Sequence, residues 1–533
     1  MWWFEGPAAR ASPATLRRAA LHAAYHLVEA VQLQERGPAR VEIEERLVEA
    51  ERRDWPETIA TLLFAQAVDA FTNLPDKAAA AIDTLIERAE SLGEPGMLAA
   101  GLGLHAQLAL SDGDVVRHLA DASRAVVVLD DERDPLARGS GLIGAATAYE
   151  CLSLWELGAE LHDRAEALLP LCDDQVQRAV IDMNRGLTWF WWTAALLEVG
   201  EQEQAERLLS ELPEEAPTDL PEIWLLELRI NRLAGLILMR AAGPEEVEEL
   251  RELSRSFPAD DGGPNWLPRM LVFLGLAHDA LQAGRYDEAT DHADAARDLA
   301  RTHGTAYQRS FAHWTAALVE EARDPGIGAD ARAYAAVLAR QRWDERIGRL
   351  ASARAQIDSE RQQGKHAGLV RRTMEDPLTR LGNRRAFDQR LLDEADSLGE
   401  GSSIAMVIID IDQFKAVNDR FGHACGDAVL RRVGAIVRSV LRPDDLAIRL
   451  GGDEFCAVLS GATTTVVHDR ADRIGALVTS EDWGLMALGL DVTVSVGAAS
   501  AVGPGAVAEL YPRADAALYA AKAAGHGLLR IAN

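Results

Sequence analysis

The sequence predicts a multidomain chain of α and α+β units: an N-terminal α-solenoid of helical hairpins, a connecting helix, and a C-terminal split βαβ, ferredoxin-like domain. Three observations lead there. From about Ala19 to Arg323 apolar residues recur every three or four positions, the period of packed helices. Gly113, Gly158, Gly200, Gly243 and Gly284 punctuate that region at intervals of 41 to 45 residues, as expected of stacked hairpins with a glycine between the two helices of each. After Gly364 the pattern changes to short apolar strands alternating with amphipathic helices. The expected boundaries are 1–329 for the repeats, 330–371 for the connecting helix and 372–533 for the last domain.

Around "AGRYDEATDHADAARDLART" the first region resembles tetratricopeptide-type repeats, although its period is longer than is usual for them. Eleven of its residues up to Trp343 are tryptophans, with "TWFWW" at 188–192. They are read as fillers between helical layers, with an aromatic ligand or peptide groove as the other reading. Residues 330–363 form one helical pattern in which Trp343, Ile347, Leu350 and Ile357 make a short heptad seam. Two readings stay open for it: the last helix of the array, or a coiled coil joining two chains.

The whole-chain properties narrow the function. At 533 residues and 57.8 kDa several domains are expected. A net charge of −29 opposes broad binding to nucleic acid or anionic lipid. Cys151, Cys172, Cys425 and Cys456 show neither CxxC spacing nor a histidine companion, so reduced thiols are expected. The absence of a signal-like start and of about 18 consecutive apolar residues predicts a cytoplasmic protein with no membrane span.

The chemistry lies in the last domain. "SSIAMVIIDID" (402–412) reads as a buried strand ending in acids, "GDAVLRRVGAIVRSVL" as an amphipathic helix, and "LAIRL" and "EFCAVLSG" as a hairpin. "VVHDRADRIGALV", "LDVTVSVGAAS" and "RADAALYAAKAAG" then supply helix, strand and helix, completing the split βαβ order. In such a sheet the first strand lies beside the hairpin, so Asp410 converges on Asp453 and Glu454. Clustered carboxylates repel unless a cation lies between them, and hard oxygen ligands suit Mg²⁺ with substrate phosphates.

Five ordered stretches carry a family resemblance: "DPLTRLGNRRAFD", "IIDIDQFKAVNDRFGHACGD", "RLGGDEF", "VTVSVGAAS" and "ADAALYAAKAAG". Over this C-terminal third the chain resembles the GGDEF family, the diguanylate cyclases, whose domain has the nucleotidyl cyclase palm fold. The resemblance implies a homodimeric GTP nucleotidyltransferase that condenses two GTP into cyclic di-GMP and two pyrophosphates. It implies Mg²⁺ (with Mn²⁺ as the substitute), two ions per GTP site, held by Asp410, the Ile411 carbonyl, Asp453 and Glu454. Glu454 would contact metal or help deprotonate the ribose 3′-hydroxyl. Asn418 and Asp427 correspond to guanine-edge residues, Phe414 and Lys415 to a phosphate-cradling turn, and Lys522 to a second phosphate lysine. Gly451 and Gly452 would let nucleotide approach the backbone.

The resemblance also implies a product-binding inhibitory site at Arg442 and Asp445, joined by Arg473 from a neighbouring domain. In one position the chain departs from the family: His526 stands where an arginine is usual, a weaker phosphate partner when neutral. Asp412 is expected to cap the following helix, and Asp376 to be a helix N-cap before Pro377. The alternative to an enzyme is a catalytically silent receptor for cyclic di-GMP or GTP that signals through the repeats. In either case the repeats are expected to take an unknown protein or ligand.

Overall fold

The computed structural model describes residues 12–32, 36–172, 175–210, 222–256, 266–397, 399, 401–503, 507–525 and 527–532. The chain divides into two compact units, Met1–Gln362 and Gln363–Asn533.

The first unit is helical. Its hairpins begin with α1 (Pro13–Gln32) and α2 (Arg36–Arg53), α3 (Pro56–Asn73) and α4 (Pro75–Leu92), then α5 (Pro95–Ser111) and α6 (Val115–Val128). They continue with α7 (Pro135–Cys151) and α8 (Trp155–Glu166), followed by a short α9 (Leu169–Cys172). After it come α10 (Gln175–Glu198) and α11 (Gln202–Ser210), then α12 (Glu222–Leu238) and α13 (Pro244–Ser256). The series ends with α14 (Trp266–Gln282), α15 (Tyr286–His303) and α16 (Ala306–Arg323). The first helices of successive hairpins, α1, α3, α5, α7, α10, α12 and α14, pack in one row. Small residues allow that approach: a Cβ on Gly103 would lie 2.5 Å from the backbone of Gly144 in the next hairpin.

One expected turn is displaced, that of Gly158, while Gly243 lies between its two helices as expected. Gly113, Gly200 and Gly284 occupy left-handed turn positions, where a side chain is disfavoured. Gly158 lies inside α8, however, and Ser153 takes the left-handed turn with φ 62°. Gly158 serves close packing instead, since a Cβ there would sit 2.6 Å from Glu150 Oε1. At the α12–α13 turn the left-handed residue is Arg240, with φ 58°, and Gly243 sits beyond it. The tryptophans act chiefly as packing: Trp155 and Trp191 both meet Tyr307 edge-on, and Trp314 stacks on Phe311.

His278 of α14 lies against that cluster, stacked 6.4 Å from Phe311 and 6.1 Å from Trp314. Burial lowers its pKa to about 4, so the folded state keeps the ring neutral while the unfolded state protonates it below about 6.5. This contribution is complete above pH 6.5 and is lost as pH falls toward 4, about 3 kcal/mol in all. We expect His278→Phe to flatten the acid side of the stability profile over that window. Tryptophan fluorescence during denaturation of the full chain checks this, because eleven of the twelve tryptophans precede residue 344.

The helix α17 (Pro325–Met374) is longer than the expected connecting segment and begins earlier. Its inward stripe within the first unit is Ala339, Trp343, Arg346, Leu350, Ala353 and Ile357, spaced four and three apart, with Ala339, Arg346, Ala353 and Ile357 buried. Three residues of the expected seam therefore lie on the face packed against the array. The fourth, Ile347, is 57% exposed. Arginines fasten the same helix: Arg342 meets Glu198 at 3.0 Å, Arg346 meets Glu156, Arg354 meets Glu160, and Arg361 meets Asp130 at 3.1 Å. Arg346 also lies 3.8 Å over the Trp343 ring, a cation–π contact.

The second unit contains α18 (Arg384–Ser397), β1 (Ser403–Ile411), α19 (Phe414–Phe421), α20 (His423–Val440), β2 (Leu446–Gly451) and β3 (Glu454–Ser460). It continues with α21 (Thr464–Ser480), β4 (Val494–Val502), α22 (Val507–Ala524) and β5 (Leu529–Ala532). The sheet order is β2-β3-β1-β4-β5, antiparallel except for the parallel β4–β5 edge. The first four strands have the split βαβ order, and β5 is an addition that the sequence pattern did not suggest. Strand parity divides the core. Ala405, Val407 and Ile409 of β1 cluster with residues of α20 and α21, whereas Ile404, Met406 and Ile408 cluster with α22. On that second face α22 presses directly on β4: a Cβ on Gly497 would lie 2.2 Å from the Leu518 nitrogen. Among the described residues no helix is long and apolar enough to cross a membrane.

Candidate active site

The site grows from the same parity. Asp410 follows Ile404, Met406 and Ile408 on the α22 face, and it pairs across the ladder with Glu454 of β3. One turn residue before Glu454, the Asp453 carbonyl accepts the Ile411 N–H at 3.3 Å. Sheet register therefore brings three of the expected acids to one strand end. Lys522 reaches them from α22, with its Nζ 2.7 Å from Asp410 Oδ2. Burial raises the Asp410 pKa, opposed by Lys522 and reinforced by Asp453 and Asp412. Burial likewise raises that of Glu454, with Asp410 the next cause. Neighbouring acids thus make both Asp410 and Glu454 harder to ionise, so added positive charge is favoured there.

The glycine turn is open above its backbone. Gly451 has φ 151° and Gly452 has φ 55°, and a Cβ on either would meet nothing within 4 Å. Arg449 holds the turn, donating to the Gly452 carbonyl at 2.7 Å and to Asp376 at 3.3 Å. Asp376 is not a helix cap: its Oδ1 accepts from the Thr379 N–H and hydroxyl, both at 2.8 Å, in a turn before α18. The cap of α18 falls to Asn383, whose Oδ1 accepts the Arg385 N–H at 2.9 Å. The segment also docks along β2, where the Gly382 carbonyl accepts the Arg449 N–H at 2.7 Å. "DPLTRLGN" is thereby a brace for the turn, a role that needs the Asp376–Arg449 pair across 73 residues.

Asp412 also departs from expectation. The residue before α19 is Gln413, with no side-chain cap. The Asp412 carboxylate instead accepts from Thr493 at 2.7 Å, Ser495 at 2.6 Å and the Gly527 N–H at 2.8 Å. It ties the strand end to β4 and to the segment after α22. His526 lies outside the described residues.

A second group lies over α19 and α20. Phe414 is partly buried, Lys415 is exposed, Asn418 is half-buried, and Asp427 is exposed in the second turn of α20. Their spacing depends on Gly426, which sequence reasoning did not single out. A Cβ there would fall 1.9 Å from Asn418 Oδ1 and 3.2 Å from the Phe414 ring. If Asn418 meets guanine as the resemblance implies, Gly426→Ala should displace it and raise the KM for GTP by about tenfold, with a smaller change in kcat. Steady-state kinetics on the full chain checks this.

The Arg442–Asp445 pair is no side-chain ion pair. Asp445 is buried and its Oδ2 accepts the Arg442 backbone N–H at 3.0 Å. The Arg442 guanidinium is exposed with no partner among the described residues. Arg473 is exposed on α21, one turn beyond Arg470, which donates to the Val440 carbonyl at 2.7 Å. No contact joins Arg442 to Arg473 among the described residues.

The donors at the β1–β3 edge fit a hard cation: they are oxygens, and an ammonium already lies 2.7 Å from one of them. Among the described residues no three His, Cys, Asp or Glu groups gather as a ready-made metal site.

Residues 373–527 match the family described as diguanylate cyclase, GGDEF domain. Diguanylate cyclase DgcS of Shewanella oneidensis is 35% identical over 159 residues, 30% of this chain and 52% of that protein. Diguanylate cyclase DgcP of Pseudomonas aeruginosa is 31% identical over 315 residues, 57% of this chain and 45% of that protein. The chain thus spans about half the length of these relatives. Among solved structures, the coiled coil and GGDEF domain of DgcB from Caulobacter crescentus, in complex with c-di-GMP, is 33% identical. That likeness covers 35% of this chain and 98% of the other, with a TM-score of 0.30. With the matched residues, the shared identity and the acids gathered at one strand end, residues 373–527 of this chain are a GGDEF domain.

Proposed function

We infer that the chain is a diguanylate cyclase, joining two GTP into cyclic di-GMP with release of two pyrophosphates, and that the helical first unit regulates it. The observation that carries this reading is the register pairing of Asp410 with Glu454, beside Asp453 and under Lys522. Each ribose 3′-oxygen attacks the α-phosphate of the other nucleotide, the proton leaves the hydroxyl, and the bond to pyrophosphate breaks. Because each domain binds one GTP, two domains must face one another, so the active species is a homodimer.

In this reading Asp410, Asp453, Glu454 and the Ile411 carbonyl would hold Mg²⁺, which offsets phosphate charge when bound. Asn418 and Asp427 orient guanine, whose N1–H and 2-amino group are donors that a carboxylate can accept. Phe414 and Lys415 begin the phosphate turn at the start of α19. Lys522 is placed to exchange Asp410 for phosphate oxygen. Glu454 takes the hydroxyl proton or a second metal contact. The first unit, with its tetratricopeptide-like hairpins, receives a partner or ligand.

Purified full-length chain, incubated with GTP and Mg²⁺ over a range of dimer fractions, should form cyclic di-GMP. GTP binding with no turnover at any dimer fraction would instead favour the silent receptor.

We extend the reading to product inhibition. The Arg442 guanidinium would stack on product guanine and meet its phosphate, with Asp445 fixing the loop that presents it and Arg473 joining from α21 of a neighbouring domain. Arg442→Ala should raise the product concentration needed for half-inhibition by about tenfold, with initial turnover retained. Progress curves with added cyclic di-GMP check this.

A further inference from the structure

The first unit has a half-open cavity of about 330 Å³, at the lower end of the range for small-molecule sites. It lies along the row of first helices and draws its lining from six of them, α1, α3, α5, α7, α10 and α12. Its walls are mainly apolar and aromatic, with Tyr25, Phe64, Phe71, Leu104, Ile143 and Met183 among them. Among the described residues no tryptophan lines it.

The charged groups in the lining are of one sign. Among the described residues, Glu29 and Glu227 are the carboxylates in the lining, and neither lysine nor arginine lines the cavity. Glu29 is engaged, accepting from or facing His26 at 3.1 Å, and His26 stacks on His22. Glu227 has no partner among the described residues. Burial alone pushes its carboxyl up to about 7, a sign that its negative charge lacks a counterpart. A second carboxylate or a phosphate in this space would add to that deficit.

We propose that this cavity is a binding site for a small amphipathic organic cation, with its apolar body among Phe64, Phe71 and Ile143 and its ammonium group at Glu227. The volume suits a small molecule rather than a protein segment, the aromatic walls accept an apolar body, and the unpaired carboxylate selects the sign of the charge. Desolvated cations also gain from aromatic ring faces. The site involves no residue of the GGDEF domain, so it stands whether or not that domain turns over GTP.

The test is calorimetry on the full chain without nucleotide, at pH 8, where Glu227 is ionised. The probes are 2-phenylethylammonium and hexylammonium, with 2-phenylethanol and 3-phenylpropanoate as the neutral and anionic counterparts. Saturable one-to-one binding of an ammonium probe is expected, at least about tenfold tighter than the alcohol, with no binding of the carboxylate. Glu227→Gln should remove that preference and leave the alcohol unaffected. Ile143→Trp, which fills the cavity, should abolish binding of every probe. Circular dichroism melts identify any variant that has merely lost its fold, and Glu227→Asp should then restore part of the preference. Equal binding of ammonium and alcohol, ammonium binding that survives both substitutions, or no binding by either ammonium probe would overturn the assignment.

Discussion

Replacing Asp453 with alanine is expected to lower cyclic di-GMP formation from GTP by at least about 10³-fold. The residue sits at the turn, half-buried, and its backbone carbonyl already holds the Ile411 N–H. The backbone bond survives the substitution, so the loss should fall on chemistry rather than on folding. Asp410 and Glu454 remain paired across β1 and β3, but they have one carboxylate fewer with which to share a metal. Chromatographic detection of product with Mg²⁺ present, alongside an unchanged circular dichroism melt, separates the two effects. Activity within tenfold of the parent would remove Asp453 from the machinery.

The second large effect concerns α17. Arg346→Ala should destabilise the first unit by about 3 kcal/mol, since deleting one partner of a buried pair strands the other. Arg346 has 8% side-chain exposure and Glu156 has 24%, and the substitution also removes the contact with Trp343. Arg346→Met retains most of the stem packing, while Arg346→Met combined with Glu156→Leu removes the stranded charge. Full-chain denaturation followed by tryptophan fluorescence should rank the double variant above Arg346→Ala. A loss below about 0.5 kcal/mol for Arg346→Ala would make the pair an ordinary surface one.

The residues of the candidate site that were legible in the sequence are those whose role is local. Asp410 ends a strand and Gly451 to Glu454 form one turn, so spacing and residue type suffice to suggest their convergence. Gly426 was not legible because its role is the space it leaves for Asn418, and nothing in a single chain marks that. The Arg449–Asp376 brace joins positions 73 apart, beyond the reach of periodicity. In the repeats, glycine marks the space between the two helices of a hairpin. Gly243 lies there, but Gly158 sits inside α8 and Ser153 takes the left-handed turn before it, so at that hairpin the glycine points to the right place in the chain but the wrong position. The strand β5 is four residues long and packs at a sheet edge, too short for alternation to register.

The arginine contacts along α17 differ in depth. At one end Arg342 meets a Glu198 with only 3% side-chain exposure, and Arg346 is itself buried. Farther along, Arg354 and Glu160 are 51% and 55% exposed, and Arg361 and Asp130 are 37% and 45% exposed. Ions screen exposed pairs far more than sheltered ones. Rising ionic strength therefore loosens the polar hold from the C-terminal side first, while the Trp343 end stays fastened. The polar part of the helix's hold on the array is thus graded along its length, while the apolar stripe runs through to Ile357.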